Sequence, residues 1–299
     1  MPEAAEPRAE PAAKAEAWSI QRILRWAAED FGKRGNPSPR LDAELLLAHA
    51  LGTDRIRLVI ESERWLNEAE LGRVRELIRR RRNGEPIAYI LGRREFYGLP
   101  FVVDARALVP RPDTEPLVEV ALERTRDRFM YGRALDLCTG TGCVALAFAK
   151  ARPTWRVSAT DISSDTAALA WENTRRLGAT SSVRVLVGDL FAPVAGERFE
   201  LIVGNPPYIP HGDIAGLDRD VRAFEPHLAL DGGADGLDVV RKIVSQAHTH
   251  LVPNGVLALE IGCDQMNAVV ALFESAGFSE VLRRRDYANL ERVVSGKLR

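Results

Sequence analysis

From Arg133 onward, short apolar runs alternate with segments of helical period, and that alternation leaves few architectures open. The runs at 134–138, 157–160, 183–187, 201–204 and 256–261 read as buried strands rich in Val, Leu, Ile and Ala. Between most of them lie helical patterns at 142–151, 166–177, 237–251 and 265–276, and 281–284 and 292–295 read as two closing strands. Strands joined through single helices pair in parallel by crossover connections. The pattern therefore predicts an α/β fold, a doubly wound, mainly parallel, Rossmann-like sheet. Ligands of such sheets bind outside the carboxyl ends of the strands.

The loops at those ends carry the chemistry. The first, Asp136-Leu-Cys138-Thr139-Gly140-Thr141-Gly142-Cys-Val-Ala145, follows an apolar strand and opens a helix. Glycine lets backbone pass close to a ligand, and helix N-terminal N–H groups face it. Asp161 ends the next strand, 19 residues beyond Gly142, where a carboxylate accepts from both ribose hydroxyls of a nucleoside. Two other readings fit the glycines: a plain tight turn, and an NAD fingerprint with Ala145 in the third place. Asp136 favours neither a bare turn nor a pyrophosphate, which it would repel. A carboxylate beside the loop can hold a cationic amino-acid ammonium or a helix N-terminus, and that points to S-adenosyl-L-methionine. Asp189, just after the third strand, suits the adenine amino group.

The third loop is Asn205-Pro206-Pro207-Tyr208. Asn205 precedes proline and is pushed out of helical space. Two successive prolines donate no backbone hydrogen bond and hold an extended path. The Pro206 carbonyl is thereby presented beside the Asn205 side-chain oxygen, with Tyr208 as a flat wall. Two acceptors and a ring make a socket for a planar –NH2 group; the competing reading is a proline-rich turn with Asn as a cap.

Upstream of this region, residues 18–84 read as a small helical domain. Ile20, Ile23, Leu24, Ala27, Ala28 and Phe31 share one helical face. Ser38-Pro39 starts a second helix that Gly52 ends, and Asn67-Glu-Ala-Glu70 resembles a capping box before a third. Arg79–Arg82 reads as a solvated last turn that favours the helix dipole. Residues 85–109, with Ile87, Tyr89 and Leu91 alternating ahead of Phe96 to Val103, read as a β-hairpin linker. Asp113 reads as the cap of a helix through Leu117 and Leu122, and 110–299 forms the catalytic domain. Residues 1–17, rich in Ala, Glu and Pro, read as a disordered tail without an apolar signal core. Lys plus Arg is 41 against 42 Asp plus Glu, which argues against bulk-charge binding of nucleic acid. Cys138, Cys143 and Cys263 fall in apolar stretches and read as reduced thiols of a cytoplasmic protein. The five histidines lack metal-ligand spacing, so no metal is expected.

With these motifs the chain resembles the S-adenosylmethionine-dependent methyltransferases carrying Asn-Pro-Pro-Tyr, and more narrowly the bacterial release-factor glutamine methyltransferases, the HemK/PrmC family. The resemblance runs from about Trp18 to Arg299. It rests also on the strings 89–98, 109–119, 188–191, 224–237 and Leu259-Glu-Ile-Gly-Cys-Asp-Gln265. Cys138 stands where many members have Gly, and Leu190 where some have Trp near the adenine. The resemblance implies methyl transfer from S-adenosyl-L-methionine to the amide nitrogen of the glutamine in the Gly-Gly-Gln motif of class I peptide chain release factors. The product is N(5)-methylglutamine. It further implies cofactor contacts from Asp136, Cys138, Thr139, Gly140, Thr141, Gly142, Asp161, Asp189, Leu190 and Asn205. Catalysis and substrate binding fall to Asn205, Pro206, Pro207 and Tyr208. Glu225 and Pro226 are expected to shape the wall behind Tyr208, and Arg111 and Glu115 to tie the hairpin turn to the cofactor cleft. The alternatives are a ribosomal-protein glutamine methyltransferase, a nucleic-acid amino-methyltransferase, and a non-catalytic binding module. The first 100 residues hold 18 basic and 16 acidic residues, too even for a duplex grip. No direct nucleic-acid partner and no membrane are expected.

Overall fold

A computed structural model describes residues 18–127 and 130–299, so the expectation of a disordered tail at 1–17 lies outside the described residues. The chain divides into two compact units, one up to Leu91 and one from Gly92.

The first unit is helical: α1 (Ile20–Lys33), α2 (Pro39–Leu51), α3 (Arg55–Ile60), α4 (Glu68–Arg82) and α5 (Ile87–Leu91). The α1 face named by periodicity supplies Ile20, Ile23, Ala27 and Phe31 to the core, against Leu46, Leu47, Leu58, Val74 and Ile78. Gly52 closes α2 in the left-handed conformation, φ 65°. Asn67 and Glu70 form the reciprocal capping box. Ser38 occupies the N-cap position of α2 without a side-chain cap bond; Asn36 Oδ1 instead accepts from the Ser38 N–H at 2.8 Å. The arginine run is less solvated than expected. Arg79, Arg80, Arg81 and Arg82 pair with Glu76, Glu85, Asp42 and Asp30, and the Arg81–Asp42 pair is largely buried. Helix α3 gives no sequence signal because Ile56, Val59 and Ile60 face solvent and only Leu58 is buried.

The second unit begins with a hairpin, β1 (Arg93–Phe96) and β2 (Leu99–Val102), closed by Tyr97 and Gly98, both at positive φ. The strand expected at 87–91 is instead α5. The Pro86 carbonyl accepts from the Tyr89 and Ile90 N–H groups, and Ala88, Tyr89 and Ile90 are buried in succession, which a half-exposed strand does not allow. Then follow α6 (Glu115–Arg124), β3 (Arg133–Leu137), α7 (Cys143–Ala151), β4 (Arg156–Asp161), α8 (Ser164–Arg176), β5 (Val183–Val187), β6 (Phe199–Gly204), α9 (Arg219–Phe224), α10 (Asp238–His250), β7 (Leu251–Glu260), α11 (Met266–Ser275), β8 (Phe278–Arg285) and β9 (Glu291–Leu298). Asp113 does not cap α6. A 3-10 turn at Pro112–Thr114 places the helix start beyond its reach.

The sheet order is β5-β4-β3-β6-β7-β9-β8. The first five strands are parallel, and β9 runs antiparallel to both β7 and β8. The core between sheet and helices gathers Leu135, Leu137, Ile202, Leu257 and Leu259 with Val240, Ile243 and Phe273. The order reverses between β3 and β6, and the crevice at such a switch point is where doubly wound sheets take ligands.

Candidate active site

A cleft of about 870 Å³ opens at that switch point, within the range of small-molecule sites. Its walls come from the carboxyl ends of β3, β4, β5 and β6, the loops the sequence singled out. Asp136, Cys138, Thr139, Gly140, Thr141, Asp161, Asp189, Leu190, Asn205 and Pro207 line it.

In the loop after β3, Cys138, Gly140 and Gly142 stand at φ 56°, 58° and 81°. Cys138 thus bears left-handed strain that glycine would not. Gly142 lies outside the cleft walls and packs α7 against α8; a Cβ there would meet Leu146 Cδ1 at 3.2 Å and Ala170 Cβ at 3.4 Å. Asp136 is 1% exposed and accepts from the Thr139 hydroxyl at 2.5 Å and the Ala145 N–H at 3.2 Å. It holds the N-terminus of α7, one of the two roles expected of it. Burial pushes its pKa up to about 7 against those two hydrogen bonds.

Asp161 joins two loops. Its Oδ2 accepts from the Gly140 N–H and its Oδ1 from the Ser163 N–H, both at 3.0 Å. Burial raises its pKa. Each oxygen keeps a second lone-pair site toward the cleft. Asp189 is exposed, while Leu190 is buried with φ 44°. Burial of the Cys138 thiol beside Asp161 raises its pKa, and Cys143 is pushed up to about 12 for the same reason, so neither is a nucleophile near neutral pH. Cys263 is exposed and follows the end of β7.

Asn205 follows β6 and is half-buried; its Nδ2 donates to Thr114 Oγ1 at 3.3 Å. Pro207 lines the cleft. Pro206 is buried, and Tyr208 is half-buried to one side; neither is among the cleft-lining residues. The Tyr208 hydroxyl donates to Glu260 Oε1 at 3.4 Å, and its carbonyl accepts from Gln265 Nε2 at 2.8 Å. Burial and Glu260 raise the Tyr208 pKa.

Glu225, expected in the wall behind Tyr208, is buried. Its side chain is 1% exposed and pairs at 2.6 Å with Arg111, whose long side chain reaches it from the cleft wall. Burial pushes Glu225 up to about 7, against the Arg111 guanidinium. Pro226 lines the cleft, and the groups behind Tyr208 are Glu260 and Gln265. Glu115 Oε1 accepts from the Tyr97 N–H at 3.0 Å, so it ties the hairpin turn to the start of α6. Sequence reasoning assigned no role to Thr114, Glu260 or Gln265, nor to Val239 and Lys242 of α10 on the cleft wall. For Glu260 a signal existed: it is the one charged residue in the apolar run Val256–Ile261. Among the described residues no group of three His, Cys, Asp or Glu is placed to hold a metal ion.

Two family models match: the PrmC N-terminal domain over residues 22–92 and the methyltransferase small domain over residues 114–217. The release factor glutamine methyltransferase of Geobacter sulfurreducens is 42% identical over 285 residues, 95% of this chain and 99% of the relative. The one of Escherichia coli (strain K12) is 41% identical over 273 residues, 91% and 97% respectively. Among solved structures, the hMettl16 catalytic domain superposes with a TM-score of 0.57 at 14% identity, covering 73% of this chain and 84% of that one. That likeness speaks for the fold alone.

Proposed function

Because the chain belongs to the release factor glutamine methyltransferases, we propose that it transfers a methyl group from S-adenosyl-L-methionine to the side-chain amide nitrogen of a release-factor glutamine, giving N(5)-methylglutamine. The observation that carries this reading is the pairing of a methyltransferase cleft with an Asn-Pro-Pro-Tyr loop on its rim, Asn205 and Pro207 lining the wall.

The residues present fit the methyl donor. Asp161 offers acceptors for the two ribose hydroxyls, Leu190 an apolar face for the adenine, and Asp189 an acceptor for its amino group. Asp136, partly engaged by Thr139 and Ala145, also lines the wall and would hold the amino-acid ammonium. When bound, S-adenosyl-L-methionine supplies an electrophilic methyl on a cationic sulfur.

The chain's own residues orient the acceptor. An amide nitrogen is a poor nucleophile, because its lone pair is delocalised into the carbonyl. Its N–H is far too weak an acid for a side-chain base to remove at neutral pH. Asn205 Oδ1 and the Pro206 carbonyl accept the two N–H bonds and aim the nitrogen at the methyl group. Such orientation supplies roughly 7–11 kcal/mol when the reacting atoms stand ~3–3.5 Å apart. Both hydrogen bonds strengthen as positive charge grows on nitrogen, which stabilises the transition state. The cationic methylated amide then sheds its proton readily.

The substrate glutamine is that of the Gly-Gly-Gln motif of class I release factors, and the compartment is the cytoplasm. Among the described residues no helix is long and apolar enough to cross a membrane. The test is mass spectrometry of purified class I release factor after incubation with this protein and S-adenosyl-L-methionine, beside ribosomal-protein, RNA and DNA controls. One added methyl on the Gly-Gly-Gln glutamine is expected. Transfer to any control instead would overturn the assignment of the partner and leave the cofactor cleft standing.

A further inference from the structure

The Asn-Pro-Pro-Tyr loop is fastened differently at its two ends. At its start β6 belongs to the sheet, where Gly204 pairs with Leu137 of β3 on one side and Leu259 of β7 on the other. Pro206 and Pro207 have no N–H, so neither can fasten the middle of the loop by donating. Beyond them the Ile209 N–H donates to the Leu230 carbonyl at 3.0 Å, and the Ile209 carbonyl accepts from the Gly232 N–H at 2.9 Å. The Tyr208 carbonyl is held by a side chain instead, and accepts from Gln265 Nε2 at 2.8 Å.

Gln265 is 7% exposed and stands immediately before α11. Its amide is used at both ends. Nε2 also reaches the Gly236 carbonyl at 3.4 Å, while Oε1 accepts from the Gly262 N–H at 2.9 Å. Carbonyls at one end and an N–H at the other admit one orientation of the amide. A single buried side chain thus ties three segments: the loop after β6, the glycine turn before α10 and the turn after β7. The glycine turn allows this close approach. A Cβ on Gly236 would collide with the Tyr208 carbonyl, and one on Gly232 would stand 2.8 Å from the Pro207 carbonyl oxygen.

The two prolines fix their own φ. With the sheet holding one end of the loop and Gln265 the peptide after Tyr208, little rotation is left to the residues between. We propose that Gln265 is a positioning residue for methyl transfer: by holding the Tyr208 carbonyl it fixes where Asn205 Oδ1 and the Pro206 carbonyl meet the substrate –NH2 group. This rests on the reading of those two atoms as the acceptors. Gln265 is not among the cleft-lining residues, so it acts on the aim of the loop and not on the reacting atoms. Misplacing a reacting group by about 1 Å costs on the order of a hundredfold in rate.

The test uses the full chain, a recombinant class I release factor and S-adenosyl-L-methionine, with kcat and the KM for the release factor read separately. Gln265→Met keeps the length of the side chain and removes both hydrogen-bonding ends. Gln265→Glu, assayed at pH 8.5 where a carboxyl is ionised, keeps an acceptor for the Gly262 N–H and sets a second acceptor against the Tyr208 carbonyl. Both should lower kcat by about ten- to a hundredfold, with KM and calorimetric cofactor affinity within threefold of the parent. A role confined to the turn after β7 would spare Gln265→Glu, because the bond from Gly262 survives. A kcat within threefold of the parent in either variant therefore overturns the proposal, as does a loss that appears in KM or cofactor affinity and not in kcat. Should one variant fail to fold, as read by urea denaturation, the other decides alone. Turnover that survives Asn205→Ala would instead defeat the underlying reading of the acceptors.

Discussion

Asp161 is the group whose replacement tests the cofactor site most directly. Its two oxygens each accept one backbone N–H, from Gly140 and Ser163, at 3.0 Å. Each has one further acceptor site for a ribose hydroxyl. Asp161→Asn keeps the shape and exchanges one oxygen for an NH2. Whichever way the amide turns, one ribose hydroxyl loses its charged acceptor and meets an uncharged NH2, and a donor is set against the Gly140 or the Ser163 N–H. Losing one charge-assisted hydrogen bond costs about 1.5–3 kcal/mol, a weakening of roughly 10- to 150-fold in cofactor affinity. The clash with the backbone N–H falls instead on the loop, and a buried unpaired donor costs about 1–3 kcal/mol of stability. The two losses separate experimentally. Isothermal calorimetry with S-adenosyl-L-methionine reads the first, and urea denaturation without ligand reads the second. The parent should also bind less tightly at acid pH, because burial raises the Asp161 pKa and only the carboxylate accepts from both hydroxyls. Asp161→Asn should lose that dependence. A dissociation constant within threefold of the parent at neutral pH would refute the ribose role.

Three further outcomes are expected. In Gly236→Ala the new Cβ collides with the Tyr208 carbonyl oxygen and lies 2.6 Å from Gln265 Nε2. Methyl transfer should therefore drop at least tenfold while calorimetric cofactor affinity holds; full turnover would show that the Tyr208 backbone need not be fixed. Arg81→Ala strips the largely buried Asp42 of its guanidinium and leaves the Asn36 amide at 2.6 Å as its remaining polar support. A loss of about 3 kcal/mol in chemical denaturation is expected, at the low end for breaking a buried pair, with cofactor binding intact because Arg81 belongs to the other unit. Finally, Asp136, Glu225 and Glu260 all have pKa values raised to about 7 by burial. The folded state then binds protons more tightly than the unfolded one, so their contribution to stability is present at low pH and is lost as pH rises through about 7. The melting temperature at pH 6 should exceed that at pH 8, and the opposite order would contradict the raised values.

The sequence alone determined the parallel sheet, the glycine loop and the positions of Asp136, Asp161 and Asn205. Strand-length apolar runs, helical period and proline are local properties of the chain and survive translation into structure. The cap of Asn67 and Glu70 was equally legible, whereas those expected of Ser38 and Asp113 did not form. Legibility failed wherever the deciding partner is distant. Residues 87–91 alternate like a strand, yet consecutive burial of Ala88, Tyr89 and Ile90 makes them a helix. Helix α3 escaped notice because its apolar residues face solvent.

The same holds within the site. Asn205 was legible from the two prolines that follow it, but its partner Thr114 lies 91 residues away. Glu225 meets Arg111 across 114 residues, and Gln265 meets Tyr208 across 57. No periodicity encodes such pairs. A hydrogen bond depends on angstrom-scale geometry that exists only once the sheet has folded and brought the ends of β6 and β7 side by side. The chain thus specified by itself which loops line the cleft. Tertiary structure alone decided which buried polar groups hold those loops, because burial is what makes a distant partner obligatory.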